Sequence, residues 1–281
     1  MIDLHTHTTA SDGTDSPFAL VKKALATGVT TLGITDHDST AGWAEAITAI
    51  QPQIQLVLGA EVSCLTTDGI SVHMLGLLFD GEDQQMQQML SDSRDTRLPR
   101  MRKMVALLQA DGFDISLEDV YQAAPDQATI GRPHLADALV AKKIVATRDE
   151  AFADLLHNES KYYVTHAAPT PADAIATIKR AGGVAVIAHP FASRRGQILT
   201  ADTFQDLVAA GLDGIEVHHR DQNAAEQQVL TEIAGELHLV TTGASDYHGT
   251  GKLNAMAENT THPAQWEALE ARANARRVVK L

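Results

Sequence analysis

Apolar residues recur with two different periods along this chain, and the switching between them organises it. "MIDLHTH" is a short strand pattern. "DSPFALVKKALATG" follows as a helix, with Ser16 as N-cap, Pro17 in the first turn and Gly28 at the stop. "VTTLGIT" is a β-branched run, and "STAGWAEAITAI" reads as a helix capped by Ser39 or Thr40. "IQLVLGAEVSCL" and "ISVHMLGLLF" are strands separated by "TTDG", which reads as a hairpin turn. From residue 81 to 168 the pattern becomes helical and more polar. "DQQMQQMLSDSRDTRLPRMRKMVALLQADG" carries a thin apolar face at Val105, Leu107 and Leu108, and Met86, Met89, Met101 and Met104 fit helix-packing positions there. "SLEDVYQAA", "RPHLADALVAKK" and "TRDEAFADLLHN" add three short helices. Alternation resumes through "PADAIATIKRAGG", "VAVIAH", "TADTFQDLVAAG", "GIEVHH", "NAAEQQVLTEIAGE" and "LHLVTTGAS".

Repeated strand-then-helix units imply an α/β fold on a parallel sheet, open or closed into a barrel, with sites at the carboxyl ends of the strands. Residues 1–80 and 169–281 form one such unit on this reading, and 81–168 an all-helical insertion. A length of 281 residues is ample for that core. No apolar run approaches the roughly 20 residues of a membrane span. Asp3, His5 and His7 interrupt any signal-peptide pattern. Cys64 is the single cysteine, which excludes an internal disulfide, suits a reducing cytoplasm, and is expected to pack in the core. The expected location is therefore cytoplasmic. A net charge of −14 argues against a track for duplex nucleic acid. An anionic substrate remains open if bound cations reverse the local field.

Histidine is the unusual residue, with 13 in the chain. His5, His7, His37, Glu61, His73, His189, Asp246 and His248 all fall at expected strand ends, and Asp12 lies in the loop after the first strand. In a strand, residues i and i+2 point the same way, so His5 and His7 can grip one ion, and Asp246 and His248 repeat the spacing. A lone histidine on a strand is ordinarily a core or rim residue. This many polar groups converging without cations would carry a large desolvation cost. Imidazole nitrogen and carboxylate oxygen suit zinc, manganese, iron or cobalt better than calcium. The donors therefore predict a hydrolytic metal centre.

"DLHTHTTASDGTDSP", "GITDHDST", "GAEVS", "VHMLGL", "AHP" and "SDYHG", in this order, resemble the PHP (polymerase and histidinol phosphatase) family. The resemblance is closest to its stand-alone branch of nucleoside bisphosphate phosphatases and short-RNA 5′→3′ exoribonucleases. It implies a distorted (β/α)₇ barrel with the insertion as an all-helical cap. It implies two or three divalent ions, Mn, Fe or Zn: one on His5, His7, Glu61 and Asp246, one sharing Glu61 with His73 and His189, and one on Asp12, His37 and His248. Substrate contacts are expected from Arg132 and His134 of "IGRPHL", from Arg194 or its neighbour Arg195, and from His219. His157, His166, His238 and His262 are expected at the surface. The implied reaction is attack of a metal-bridging hydroxide on the 3′-phosphate of a nucleoside 3′,5′-bisphosphate, leaving the 5′-monophosphate. Alternatives are 5′→3′ trimming of short RNA, a histidinol-phosphate-type phosphatase, or a catalytically silent metal-binding module.

Overall fold

In the computed structural model, which describes residues 1–125, 128–165, 167–193 and 198–281, seven strands lie side by side in chain order. They are β1 (Ile2–Asp3), β2 (Thr31–Ile34), β3 (Gln55–Leu65), β4 (Ser71–Leu77), β5 (Val184–Ala188), β6 (Gly214–His218) and β7 (Val240–Gly243). A parallel bridge between Thr6 and Tyr247 draws the ring nearly shut, the His7 N–H donating to the Tyr247 carbonyl at 2.9 Å. The expected α/β barrel is therefore present. Within it β4 runs antiparallel to both β3 and β5, as the hairpin turn expected at "TTDG" requires for the β3–β4 pair. The chain turns straight back after Leu65, with Thr66 Oγ1 accepting from the Ile70 N–H at 2.8 Å, and a parallel partner would have needed a long crossover. His73 thus lies near the amino end of its strand rather than the carboxyl end. Reversal of β4 brings it to the same rim as the others.

Helices coat the barrel. α1 (Pro17–Thr27) starts as expected: Ser16 accepts the Ala19 N–H, and Gly28 ends it at φ 87°, a conformation open to glycine at no steric cost. α2 (Trp43–Thr48) begins later than the sequence indicated. Ser39 bonds the Ala41 N–H and leaves residues 39–41 as a loop beside the rim. α7 (Pro171–Arg180), α8 (Ala201–Ala209) and α9 (Ala224–Glu236) bury Ile175, Ile178, Phe204, Leu207 and Leu230 against the strands. Cys64 lies in that core, as expected. The sequence reading did not pick out α10 (Pro263–Glu270), whose Trp266 and Leu269 pack with Ile2, Leu4, Leu75 and Val186.

A second core forms where α3 (Gln84–Ala110) meets α4 (Leu117–Ala123), α5 (Arg132–Ala141) and α6 (Arg148–Asp154). Met101, Met104, Val105 and Leu108 face Val120, Leu135 and Leu139 there. Two expectations are corrected. Met86 and Met89 belong to the barrel's core, because the first half of α3 still lies on the barrel, and Leu107 is exposed.

One close approach fixes the strand that matters most. A Cβ on Gly33 would sit 2.1 Å from the Leu4 carbonyl oxygen, so only glycine lets β2 lie this near the segment carrying His5 and His7. Gly33→Ala is expected to cost about 3 kcal/mol or more, since backbone rather than a flexible side chain must move. Thermal unfolding checks this, and an unchanged midpoint would contradict it.

Candidate metal centre

The rim collects the polar side chains because each is held there by local chemistry. His5 and His7 share one side of the segment after β1. His37 follows β2, and its backbone bridges to Glu61 in the middle of β3. Glu61 is mid-strand because the β3–β4 hairpin runs on past the barrel rim. Asp38, His189 and Asp246 have positive φ of 50°, 31° and 51°, a conformation that costs about 1–3 kcal/mol each for non-glycine residues and collects at functional sites.

Glu61 is the hub. Its Oε2 lies 3.1 Å from His7 Nε2, 3.3 Å from His5 Nε2 and 3.0 Å from His37 Nδ1. Its Oε1 lies 2.7 Å from His73 Nδ1 and 3.3 Å from His189 Nε2. Asp246 Oδ1 is 3.5 Å from His5 Nε2 and 3.4 Å from His7 Nε2. Asp12 Oδ1 lies 3.3 Å from His248 Nε2, and Asp12 Oδ2 lies 3.8 Å from His37 Nε2.

Three groups can each offer ligand atoms within 4.8 Å of one another: His5, His7, Glu61 and Asp246; His7, Asp12, His37 and His248; and His37, Glu61 and His73. The first is the set expected for one ion. The other two differ from the expected sets: His7 joins Asp12, His37 and His248, and His37 stands with Glu61 and His73 where His189 was expected, although His189 Nε2 still lies 3.3 Å from Glu61 Oε1.

The surroundings fit cations. Among the described residues, buried side-chain atoms without a hydrogen-bond partner include Asp12 Oδ1, His37 Nδ1, Glu61 Oε2 and His248 Nε2, all at this rim. Orphaned polar atoms in a dry interior are costly unless something completes them. His5 and His7 place their Nε2 atoms 3.1 Å apart. Each also has its other nitrogen occupied: His5 Nδ1 lies 3.0 Å from Glu216 Oε2, and His7 Nδ1 lies 3.3 Å from Ser11 Oγ, itself bound to Asp36. His248 Nδ1 faces the Asp246 carbonyl at 2.8 Å. Such partners fix the tautomer that aims Nε2 at a metal.

Burial works to raise the Glu61 carboxyl, but His37, His73 and His5 hold it well below its ordinary range. Asp12 and Asp246 are likewise held well down, against burial, by His248 and by Lys252 respectively. Burial works against protonation of His7, yet Asp246 and Glu61 push it up to about 9. Without a divalent ion, protons thus take up the carboxylates' field. A raised His7 stabilises the fold fully below pH 6.5 and loses that contribution as pH climbs to about 9. The chelated protein is therefore expected to lose several degrees of melting temperature between pH 6.5 and 9, and manganese to abolish the loss. Equal pH dependence with and without metal, read by thermal unfolding, would contradict this.

The remaining expected contacts divide. His134 is buried at the start of α5, its Nδ1 accepting the Gly131 N–H at 3.1 Å. His219 is buried beside Asp246, with Nε2 3.4 Å from Oδ2 and Nδ1 accepting the Asp221 N–H. Arg132 lies among side chains and carbonyls of the helical segment. It bonds the Leu156 carbonyl and Asn158 Oδ1 and stacks over Phe152 and Tyr163, inside the helical segment. Arg194, Arg195 and His166 lie outside the described residues. His157, His218, His238 and His262 are exposed.

Three residues at the site were missed. Glu216 is fully buried on β6 behind His5, Lys252 Nζ lies 2.9 Å from Asp246 Oδ2, and Asp36 holds Thr8 and Ser11. Only Glu216 had a signal, an acid inside the apolar strand "GIEVHH".

Comparison with known proteins gives the family. The PHP domain family model matches residues 3–141. A 3′,5′-nucleoside bisphosphate phosphatase of Chromobacterium violaceum is 33% identical over 252 residues, 89% of this chain and 88% of that protein. A 5′-3′ exoribonuclease of Haemophilus influenzae is 34% identical over 247 residues, 88% of this chain and 89% of its own. A solved Bifidobacterium adolescentis structure, designated a metal-dependent phosphoesterase, superposes with a TM-score of 0.91. It is 39% identical, and the match covers 97% of this chain and 96% of that one.

Proposed function

Because the chain belongs to the PHP domain family and is a metal-dependent phosphoesterase, we propose that it removes the 3′-phosphate from nucleoside 3′,5′-bisphosphates, leaving the 5′-monophosphate. The observation that carries the substrate reading is a cavity of about 470 Å³ between the loop that follows His37 and the helical segment, within the size range of small-molecule sites. The C. violaceum relative, a phosphatase for such compounds, supports the same choice. The helical segment 81–168 serves as the cap over a barrel of residues 1–80 and 169–281, and the expected setting is the cytoplasm. Among the described residues, no helix is long and apolar enough to cross a membrane.

His5, His7, Glu61 and Asp246 would hold one ion. His73 and His189 would share Glu61 for a second, and Asp12, His37 and His248 would hold a third. Manganese, iron or zinc bound there supplies positive charge for the phosphoryl oxygens and lowers the pKa of coordinated water. The chain's own groups do the rest. Glu216 and Ser11 keep His5 and His7 in the tautomer that presents Nε2. His134 and His219 each accept a backbone N–H at Nδ1, so a neutral ring carries its proton on Nε2 and can donate it to a phosphoryl or leaving oxygen.

Phosphate release from adenosine 3′,5′-bisphosphate by the manganese-loaded protein tests the reading. Release with the 5′-monophosphate as product is expected. Shortening of di- to pentanucleotides without attack on the bisphosphate would favour the exoribonuclease reading, which the H. influenzae relative supports. No release above a His7→Ala control would reject the phosphatase reading.

A further inference from the structure

The cavity's walls carry an unbalanced charge. Ser39 and Thr40 line one side, Gln87, Arg94 and Arg97 on α3 a second, and Thr129, just before α5, a third. Arg97 is neutralised by an ion pair with Asp38 and also bonds Ser63 Oγ. Arg94 has no such partner. Among the described residues its hydrogen bond is from Nη1 to the Asp38 carbonyl oxygen, and no carboxylate lies within ion-pair distance. The wall thus carries two guanidiniums and a single carboxylate, which Arg97 occupies, in a chain whose net charge is −14. A partly buried guanidinium without counter-charge is costly unless an anion completes it. The surplus extends along the helix: burial, Arg132 and Arg97 push Arg100 down to about 10.

The position matters as much as the charge. The carbonyl that Arg94 holds belongs to the residue after His37, and consecutive Cα atoms are about 3.8 Å apart. An anion on Arg94 would thus lie next to the backbone that follows His37, one residue along the chain from a candidate ligand. A guanidinium can fork onto two phosphate oxygens, and hydroxyls can donate to a third.

We propose that Arg94, with the hydroxyls of Ser39, Thr40 and Thr129, is the subsite for the second, non-scissile phosphate of the substrate. The inference rests on the phosphoesterase reading above and adds to it what selects a bisphosphate over a monoester. The test compares kcat/KM for adenosine 3′,5′-bisphosphate and p-nitrophenyl phosphate in the metal-loaded wild type, Arg94→Met and Arg94→Lys. Arg94→Met is expected to lower the bisphosphate-to-monoester ratio at least tenfold, chiefly through KM, and Arg94→Lys to regain part of it. An unchanged ratio in Arg94→Met overturns the subsite and leaves the phosphoesterase reading intact. A wild type that cleaves only the monoester overturns the bisphosphate reading instead. The bisphosphate's inhibition constant against p-nitrophenyl phosphate then decides the subsite: tenfold weaker inhibition of Arg94→Met supports it, and equal inhibition rejects it.

Discussion

Replacing Glu61 with Gln is expected to lower phosphate release at least a thousandfold and to strip metal from the purified protein. The substitution keeps the volume of a side chain only 1% exposed. It removes the charge that His5, His7, His37, His73 and His189 all face. One amide oxygen cannot serve two ions as a carboxylate does, and the new NH₂ would point at imidazole nitrogens meant for a metal. Loss of positioned charge around a phosphoryl group accounts for an effect of this size. Phosphate release together with metal content by mass spectrometry checks it, with circular dichroism as the fold control. Full metal content and near-normal turnover would remove Glu61 from the centre.

Glu216→Leu is expected to act differently. Glu216 touches His5 Nδ1 rather than any shared ligand cluster, so its loss leaves all nine candidate ligands in place. His5 would lose both the partner that fixes its tautomer and the charge that raises its basicity. Metal affinity should fall about 10–100-fold, the range for outer-shell partners. Activity should then return as manganese is raised, which it should not do for Glu61→Gln. Titration of activity against free manganese separates the two. A Glu216→Leu enzyme that no metal concentration restores would assign Glu216 a more direct part.

The sequence revealed the candidate ligands better than the surrounding architecture, for a physical reason. His5 and His7, or Asp246 and His248, announce themselves by a two-residue spacing that a strand converts into a shared direction. Their convergence follows from alternation of strands and helices, which is also local. The direction of β4 relative to β3 was legible from "TTDG", since a hairpin makes the following strand antiparallel, whereas its antiparallel pairing with β5, more than 100 residues later, was not. Glu216 was missed because its meaning comes from His5, which lies 211 residues earlier. For Arg132 the motif gave residue type and not side-chain direction. Its guanidinium turns to Leu156 and Asn158. Arg94 carried no signal at all, since an arginine on a polar helix normally faces water. Only the loop after His37 turns it into a wall of a cavity.

Manganese anomalous scattering from crystals of an active preparation tests the central claim most directly, which is that the rim side chains hold divalent ions. The account predicts a strong peak bounded by His5, His7, Glu61 and Asp246, with a neighbour across Glu61 toward His73 and His189. An active, manganese-requiring crystal with no peak among those residues would contradict it.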